Sequence, residues 1–213
     1  EIAFKKSIEK APENLNSRHW YSLYLMAMKR VDESMEQSDI ILGLDKNEDF
    51  LLARGSLYYF QSKFKEMLPL MHKAIENDPE VPWVYDWLGM AYNGLKEHDE
   101  AIKTYIKAFN LSGGTVEVGG GLGHALADAG EIVLAKQMSS FYDQAVKKQY
   151  LPAVQRAFIH IGLNEFDKAI QLLEQAYDEQ SWFLLFMQME HWYDPLRSDP
   201  RFHDIVERMG FPK

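Results

Sequence analysis

Residues 85–108 have the sequence YDWLGMAYNGLKEHDEAIKTYIKA, and this stretch decides the fold. Two sets of residues recur three or four positions apart, so each set lies on one face of a helix: Tyr85, Leu88, Gly89 and Tyr92 in the first, and Ala101, Tyr105 and Ala108 in the second. Gly89 and Ala101 are small enough to let the two helices approach closely. The polar run from Lys96 to Glu100 supplies the turn between them. The stretch therefore predicts a helix–turn–helix pair.

The same pattern recurs along the chain with a period close to 34 residues. Two columns of mostly small residues keep a spacing of 33 or 34 throughout: Ser22, Gly55, Gly89, Gly123 and Ala157 in the first helix of each unit, and Ser34, Met67, Ala101, Ala135 and Ala169 in the second. A helical pair of this size cannot bury its apolar face alone, so successive pairs stack on one another. We therefore predict a solenoid with no single central core.

Residues 85–108 resemble the tetratricopeptide repeat, because they match its order of aromatic, Leu-Gly, Tyr, then Ala, aromatic and Ala. The fifth unit is the second-best match, and the first departs most, with Ser22 and Ser34 in the small columns. The resemblance implies an all-α, right-handed superhelical solenoid with C-terminal capping helices. Its predicted parts are the second helix of a truncated repeat at 1–14, repeats at 15–48, 49–81, 82–115, 116–149 and 150–180, and capping helices at 181–213.

The N-terminal end is predicted to enter the array in the middle of a repeat. One period before the first repeat, Phe4, Ser7 and Pro12 stand where an aromatic, a small residue and a helix-ending proline are wanted. A repeat array normally closes with a polar capping helix, which this half-repeat lacks. We therefore expect the natural protein to extend upstream of Glu1.

The C-terminal end is predicted to be closed by helices. Ser181 is expected to cap a helix over residues 182–189, and Asp199-Pro200 to start a last helix that stops near Gly210. The apolar run 182–187 is expected to be buried between the fifth repeat and this last helix, with partial exposure for self-association as the alternative.

Residues 192–202, with 209–212, resemble the terminus of the tetratricopeptide tails carried by many bacterial regulators. Those tails follow winged-helix DNA-binding, adenylate cyclase or serine/threonine kinase domains. The resemblance implies a C-terminal regulatory module of a bacterial signalling or transcription protein.

Composition excludes several classes of function. The 213 residues carry a formal net charge of −9, which argues against a nucleic acid as the ligand of this segment. The chain has no cysteine, so it has neither disulfides nor a reactive thiolate, and a cytoplasmic setting fits best. The longest uninterrupted apolar run, 182–187, is far too short to span a bilayer, so no membrane partner is expected.

No motif predicts catalysis, a cofactor or a metal. The glycines from Gly119 to Gly123 lack the preceding strand and the Gly-Lys-Ser/Thr ending of a phosphate loop. We interpret them as the weakened, locally mobile first helix of the fourth repeat. The mixed polar set near the C-terminus is interpreted as solvated loop residues and not as metal ligands: Glu190, His191, Asp194 and His203.

The predicted binding surface is the concave face formed by the first helices. By register with the tetratricopeptide pattern, the residues expected at this groove are His19, Trp20, Tyr59, Trp83, Asp86, Trp87, Met90, Asn93, Glu117, His124 and Phe158. Co-chaperone members of the family hold a peptide carboxylate with Lys, Arg and Asn, but here Leu52, Asp86 and Met90 are among the residues at those positions. An aromatic and acidic groove instead favours an apolar partner segment with some positive charge.

Three alternatives to this binding surface stay open. In the first, Trp83 and Trp87 only cover the joint between the second and third repeats. In the second, the chain senses a small molecule, over which the glycine-rich fourth repeat closes. In the third, it is an oligomerisation module that associates through the apolar C-terminal run or the N-terminal helix.

Overall fold

The computed structural model describes residues 1–114 and 119–211, and within these ranges the chain is helical with no β-strand. The α-helices are α1 (Ile2–Lys10), α2 (Leu15–Ala27), α3 (Val31–Leu44), α4 (Glu48–Phe60), α5 (Phe64–Asn77), α6 (Pro82–Gly94), α7 (His98–Leu111), α8 (Gly120–Asp128), α9 (Ile132–Ala145), α10 (Ala153–Gly162), α11 (Phe166–Asp178) and α12 (Pro200–Arg208). Two 3₁₀ helices, Trp182–Phe186 and His191–Leu196, lie between α11 and α12.

The helices from α2 to α11 form five consecutive pairs, each packed against the next. The first helices α2, α4, α6, α8 and α10 also contact one another, so they form one continuous face. This arrangement confirms the predicted all-α solenoid.

The small columns of the sequence pattern lie inside the helical pairs, as the register predicts. Every member of both columns is buried. A Cβ added at Gly89 would lie 2.8 Å from the Tyr105 ring, so glycine is needed where α6 meets α7. In the divergent first pair, the Ser34 hydroxyl donates a hydrogen bond of 2.7 Å to the Ser22 carbonyl, which joins α2 and α3 at the same point.

The turn inside each pair also repeats. One residue per turn has a positive φ, between 55° and 84°, and these residues are 33 or 34 apart: Lys29, Ser62, Lys96, Gly130 and Asn164. The next amide N–H donates to the carbonyl five residues earlier, as from Arg30 to Leu25 and from Glu165 to His160. This is the Schellman ending of a helix, in which left-handed backbone satisfies the last carbonyls. Because only one of the five is glycine, residue type alone does not reveal the motif.

The glycine cluster forms the helix that the sequence predicts, and it packs unusually closely. A Cβ at Gly120 would lie 2.6 Å from the backbone carbonyl oxygen of Gln155, and one at Gly121 would lie 2.5 Å from the Tyr105 ring. The glycines therefore let α8 approach α10 and α7. The expected mobility of this helix stays a prediction.

The C-terminal region differs from the prediction of an α-helix over 182–189. Trp182–Phe186 is a 3₁₀ helix, and the Ser181 side chain makes no capping hydrogen bond. Because this segment is apolar on all sides, it buries more apolar surface between the helices of the groove than it would as a cap that contacts the array on one side only. We call residues 182–196 the inner segment, because they lie against the concave face. The last helix, α12, does begin as predicted, with the Asp199 carboxylate accepting the Arg201 N–H at 2.8 Å.

Candidate binding cavity

The inner segment covers part of the concave face through ring contacts. Phe186 stacks on Phe60 of α4, with centroids 4.3 Å apart and planes at 11°. Trp192 stacks on His124 of α8, with centroids 4.9 Å apart and planes at 7°. The same indole meets the Phe158 ring of α10 edge-on at 4.3 Å. The inner segment therefore bridges helices from three different repeats.

A buried hydrogen bond fixes the middle of the inner segment to α4. The Tyr59 hydroxyl donates to the carboxylate of Glu190, and the two residues are 131 positions apart in the sequence. Burial raises the pKa of Glu190 to about 7, although the hydrogen bond from Tyr59 acts to lower it. Arg197 Nη2 donates to the Glu190 carbonyl at 3.1 Å, which holds the backbone at this point. This contact determines where the inner segment crosses the groove.

A cavity of about 610 Å³ remains between the first helices and the inner segment. This volume lies in the range of small-ligand sites, roughly 300–1,000 Å³. All five tryptophans of the chain line it: Trp20, Trp83, Trp87, Trp182 and Trp192. Every indole ring of the chain therefore borders the same cavity.

One wall of the cavity is a direct product of the repeat. His19, Ala53, Trp87, Gly121 and Gln155 are 34 residues apart from one to the next, and all five line the cavity. Successive first helices thus present the same helical position to the same space. Sequence reasoning missed three of them, Ala53, Gly121 and Gln155, although extending the column from Trp87 by one period finds each.

The ionisable groups that line the cavity are mainly acidic. Its lining includes the carboxyl groups of Asp49, Asp86 and Glu190, and no Lys or Arg of the described residues. His19 is the basic group of the lining, and burial lowers its pKa, so its ring is neutral near pH 7. Burial raises the pKa of Asp86 to about 8. The site therefore suits a positive or neutral group and disfavours an anion.

Two buried donors of the inner segment have no hydrogen-bond partner among the described residues. They are the Trp192 indole Nε1 and the Tyr193 hydroxyl, and both atoms are fully enclosed, although other parts of the two residues line the cavity. Buried polar groups in proteins almost always have a partner, so these two atoms make the placement of the inner segment energetically costly.

The structure brings most of the predicted groove residues together. Seven line the cavity: His19, Trp20, Trp83, Asp86, Trp87, Met90 and Phe158. Tyr59, Asn93 and His124 are buried, Tyr59 and His124 directly under the inner segment, so a partner does not reach them while this segment is in place. Glu117 lies outside the described residues.

The inner segment itself is what sequence reasoning missed. Phe186, Glu190, Trp192 and Tyr193 all line the cavity, yet the sequence predicted a cap for this part of the chain. These residues lie outside the repeat, so no periodic signal assigns them to the concave face. Their aromatic density, with four Trp or Phe rings from Trp182 to Trp192, is the only signal that could have suggested burial in a groove.

Neither a metal centre nor a membrane span is found in the described part of the chain. Within residues 1–114 and 119–211, no group of three or more His, Cys, Asp or Glu side chains could hold a metal ion. No helix in those ranges is both long and apolar enough to cross a bilayer.

Comparison with known proteins supports the fold. A family model for the tetratricopeptide repeat matches residues 84–114. TTC0263, a tetratricopeptide protein of Thermus thermophilus, is similar with a TM-score of 0.62 and 15% identity, over 84% of this chain and 98% of its own. PilF of Pseudomonas aeruginosa gives a TM-score of 0.59 and 18% identity, over 88% of this chain and 86% of its own.

A third structure, YrrB, is described as a tetratricopeptide protein with an unusual peptide-binding site. It gives a TM-score of 0.50 and 21% identity, over 87% of this chain and 96% of its own. No curated protein matches the chain in sequence. The chain thus carries a tetratricopeptide repeat at residues 84–114 and folds as a tetratricopeptide-repeat solenoid.

Proposed function

We propose that this chain is a non-catalytic scaffold that binds an apolar, positively charged segment of a partner protein at the mouth of the cavity. The observation that carries the proposal is the set of exposed indole rings at this place. Trp20, Trp83 and Trp182 line the cavity and are 54%, 40% and 50% exposed. Exposed tryptophan is characteristic of binding surfaces, where it supplies much of the free energy of association.

The chemistry of the partner follows from the charge of the lining. With carboxyl groups and no Lys or Arg, the cavity offers no partner for a peptide carboxylate, but it attracts a Lys or Arg side chain. YrrB, of similar fold, has a peptide-binding site according to its description, which supports peptide binding on a solenoid of this kind.

The inner segment limits how a partner binds. A long helix cannot lie along the groove while Phe186 and Trp192 occupy its middle. The partner segment therefore contacts the exposed indoles at the mouth and inserts one or two side chains into the cavity. In this mode the partner contacts only the mouth of the cavity, and not the whole concave face that the sequence predicts as the binding surface.

The role in the cell is proposed from the resemblance of residues 192–202 to the tails of bacterial regulators. In this arrangement the solenoid is the cytoplasmic regulatory tail of a larger signalling or transcription protein, and partner binding controls the effector domain of that protein.

The test is a screen of random 12-residue peptides against the chain. We expect enriched peptides to combine apolar residues with Lys or Arg, and Trp20→Ala with Trp83→Ala to weaken their binding about tenfold or more, as loss of interface tryptophans usually does. Tyr150→Ala is the matched control, because Tyr150 is 70% exposed but does not line the cavity. Equal loss in the control, or enrichment of acidic peptides, contradicts the proposal.

A second candidate function is the sensing of a small molecule, and the cavity volume of about 610 Å³ favours it. A ligand that binds only the folded state raises the melting temperature in proportion to its concentration and affinity. A thermal-shift screen of small metabolites would reveal such a ligand.

A further inference from the structure

We propose that the cavity between the first helices and the inner segment binds an organic ammonium group carried on an apolar body. The inference deepens the proposed function and rests on it only in taking the concave face as the binding face. It names the chemical group that the cavity recognises.

The walls of the cavity favour a cation over a neutral apolar group. Aromatic rings attract positive charge through their electron-rich faces, and indole does so most strongly. Five indoles surround the space, together with the Phe60, Phe158 and Phe186 rings. Recognition of ammonium groups by cages of aromatic rings is a general use of this interaction.

Asp86 is a carboxyl group of the lining that has no counter-ion among the described residues. It lies on α6 and makes neither an ion pair nor a hydrogen bond within those ranges, unlike Asp128, which Lys96 contacts at 3.0 Å. Of the other two carboxyl groups of the lining, Asp49 is exposed and Glu190 is already engaged by the Tyr59 hydroxyl. A bound cation is the partner that Asp86 lacks. Because burial raises the pKa of Asp86 to about 8, binding of the cation releases the proton of this group and strengthens as the pH rises towards that value.

The same chemistry excludes an anion. A carboxylate or phosphate would face Asp49, Asp86 and Glu190 with no Lys or Arg in the lining to balance them. The ammonium group could belong to a free organic cation or to a lysine of a partner segment, and the experiment below separates these two sources.

The first arm compares two probes of the same shape. Acetylcholine carries a trimethylammonium group and an ester, and 3,3-dimethylbutyl acetate replaces the nitrogen by carbon. We expect acetylcholine to bind at least tenfold more tightly by calorimetry, and to change the intrinsic fluorescence, since all five tryptophans line the cavity. Equal binding of the two probes, or none, counts against a free cation.

The second arm uses a peptide of apolar residues with one central lysine and the same peptide with norleucine. Binding of the lysine peptide alone assigns the ammonium group to a partner protein. Binding of acetylcholine alone assigns it to a free cation. If neither positive probe binds better than its neutral match, the proposal is overturned.

The third arm tests Asp86 itself. At pH 8.5, where Asp86 is mostly ionised, Asp86→Asn should reduce the affinity for the positive probe about tenfold and leave that for the neutral probe unchanged, while far-ultraviolet circular dichroism shows that the fold persists. Asp32→Asn is the control, because Asp32 is an exposed acid on the outer helix α3. An unchanged affinity in Asp86→Asn refutes the assignment.

The outcomes for this site and for the proposed function are distinguishable. If peptide binding depends on Trp20 and Trp83 but not on a positive charge, the scaffold function is supported and the cation site is contradicted. If acetylcholine binding depends on Asp86 and no peptide binds at all, the cation site is supported and the scaffold function is contradicted.

Discussion

The two sides of the concave face differ in how closely the inner segment approaches them. On the side of α8 and α10, Trp192 lies directly on His124 and Phe158, and all three side chains are buried. On the side of α2 and α6, the indoles of Trp20 and Trp83 stay partly exposed beside an open cavity, and α4 between them holds the inner segment through Tyr59 and Phe60. One side is closed by the chain itself, and the other is the side on which we propose that a ligand binds.

One position of the repeat differs between the two sides. In the column that lines the cavity, α6 carries Trp87 and α8 carries Gly121, one period apart. Glycine at this position lets α8 pack closely on Tyr105 of α7. On α6 the indole ring of Trp87 forms part of the cavity wall instead. We therefore expect the closed side to contribute more to stability, and the proposed function places recognition on the open side.

The largest expected effect comes from removing the ring that closes the first side. Trp192→Ala should lower the free energy of unfolding by about 3–5 kcal/mol, because a buried indole leaves a large cavity. Trp182→Ala, on the open side and 50% exposed, should lower it by about 1 kcal/mol or less. Thermal and urea unfolding measure both. Similar losses in the two variants would show that the sides do not differ.

The next effect tests the close approach of α8 to α10. Gly120→Ala should cost about 1–3 kcal/mol, because the new methyl would meet the Gln155 backbone at 2.6 Å and a backbone atom cannot move aside easily. Gly43→Ala on α3 meets nothing within 4 Å and should instead stabilise the chain by about 0.5 kcal/mol. The pair separates close contact from helix propensity. A Gly120→Ala variant as stable as the parent would show that α8 and α10 do not pack so closely at this position.

Sequence alone predicts the solenoid because its signal is repeated. The small columns, the apolar faces and the turns recur every 33 or 34 residues. A deviation in one pair, such as Ser34 in place of alanine, therefore does not hide the period that the other four pairs show. The same period also places Trp87 and Phe158 on the concave face.

The closure of the groove could not be predicted in this way. The inner segment occurs once, and its 3₁₀ turns and its contact from Glu190 to Tyr59 depend on a surface made by residues more than a hundred positions away. The sequence of an apolar run next to a repeat array is equally compatible with a helix that caps the end of the array and with a segment that fills the groove. Which one forms depends on the shape of the groove, and that shape follows from residues such as Gly121, whose close contacts no local sequence pattern reveals.

The smallest expected effect concerns the pH dependence of stability on the open side. Burial raises the pKa of Asp86 from its usual 3.8 to about 8, so between these values the folded chain holds a proton that the unfolded chain has lost. Stability from this group is therefore lost as the pH rises through that window. Glu190, with a pKa of about 7, acts in the same direction up to that pH.

Buried histidines act in the opposite direction at lower pH. The pKa values of His19, His124, His160 and His191 are lowered by burial, so the unfolded state binds more protons below about pH 6.5 and stability there rises with pH. The contribution of the histidines fades only about one pH unit above 6.5, so the difference between the parent and Asp86→Asn, in which this contribution cancels, isolates Asp86.

Asp86→Asn should flatten this last part of the curve. Relative to the variant, the parent should lose about 1 kcal/mol of unfolding free energy between pH 7 and 8.5, less than a fully buried carboxyl group would lose because Asp86 is only half-buried. Asp32→Asn, at an exposed site, should keep the parent's slope. Parallel curves for the parent and Asp86→Asn would mean that Asp86 is solvated, and that the open side of the groove is not the shielded space that distinguishes it from the closed one.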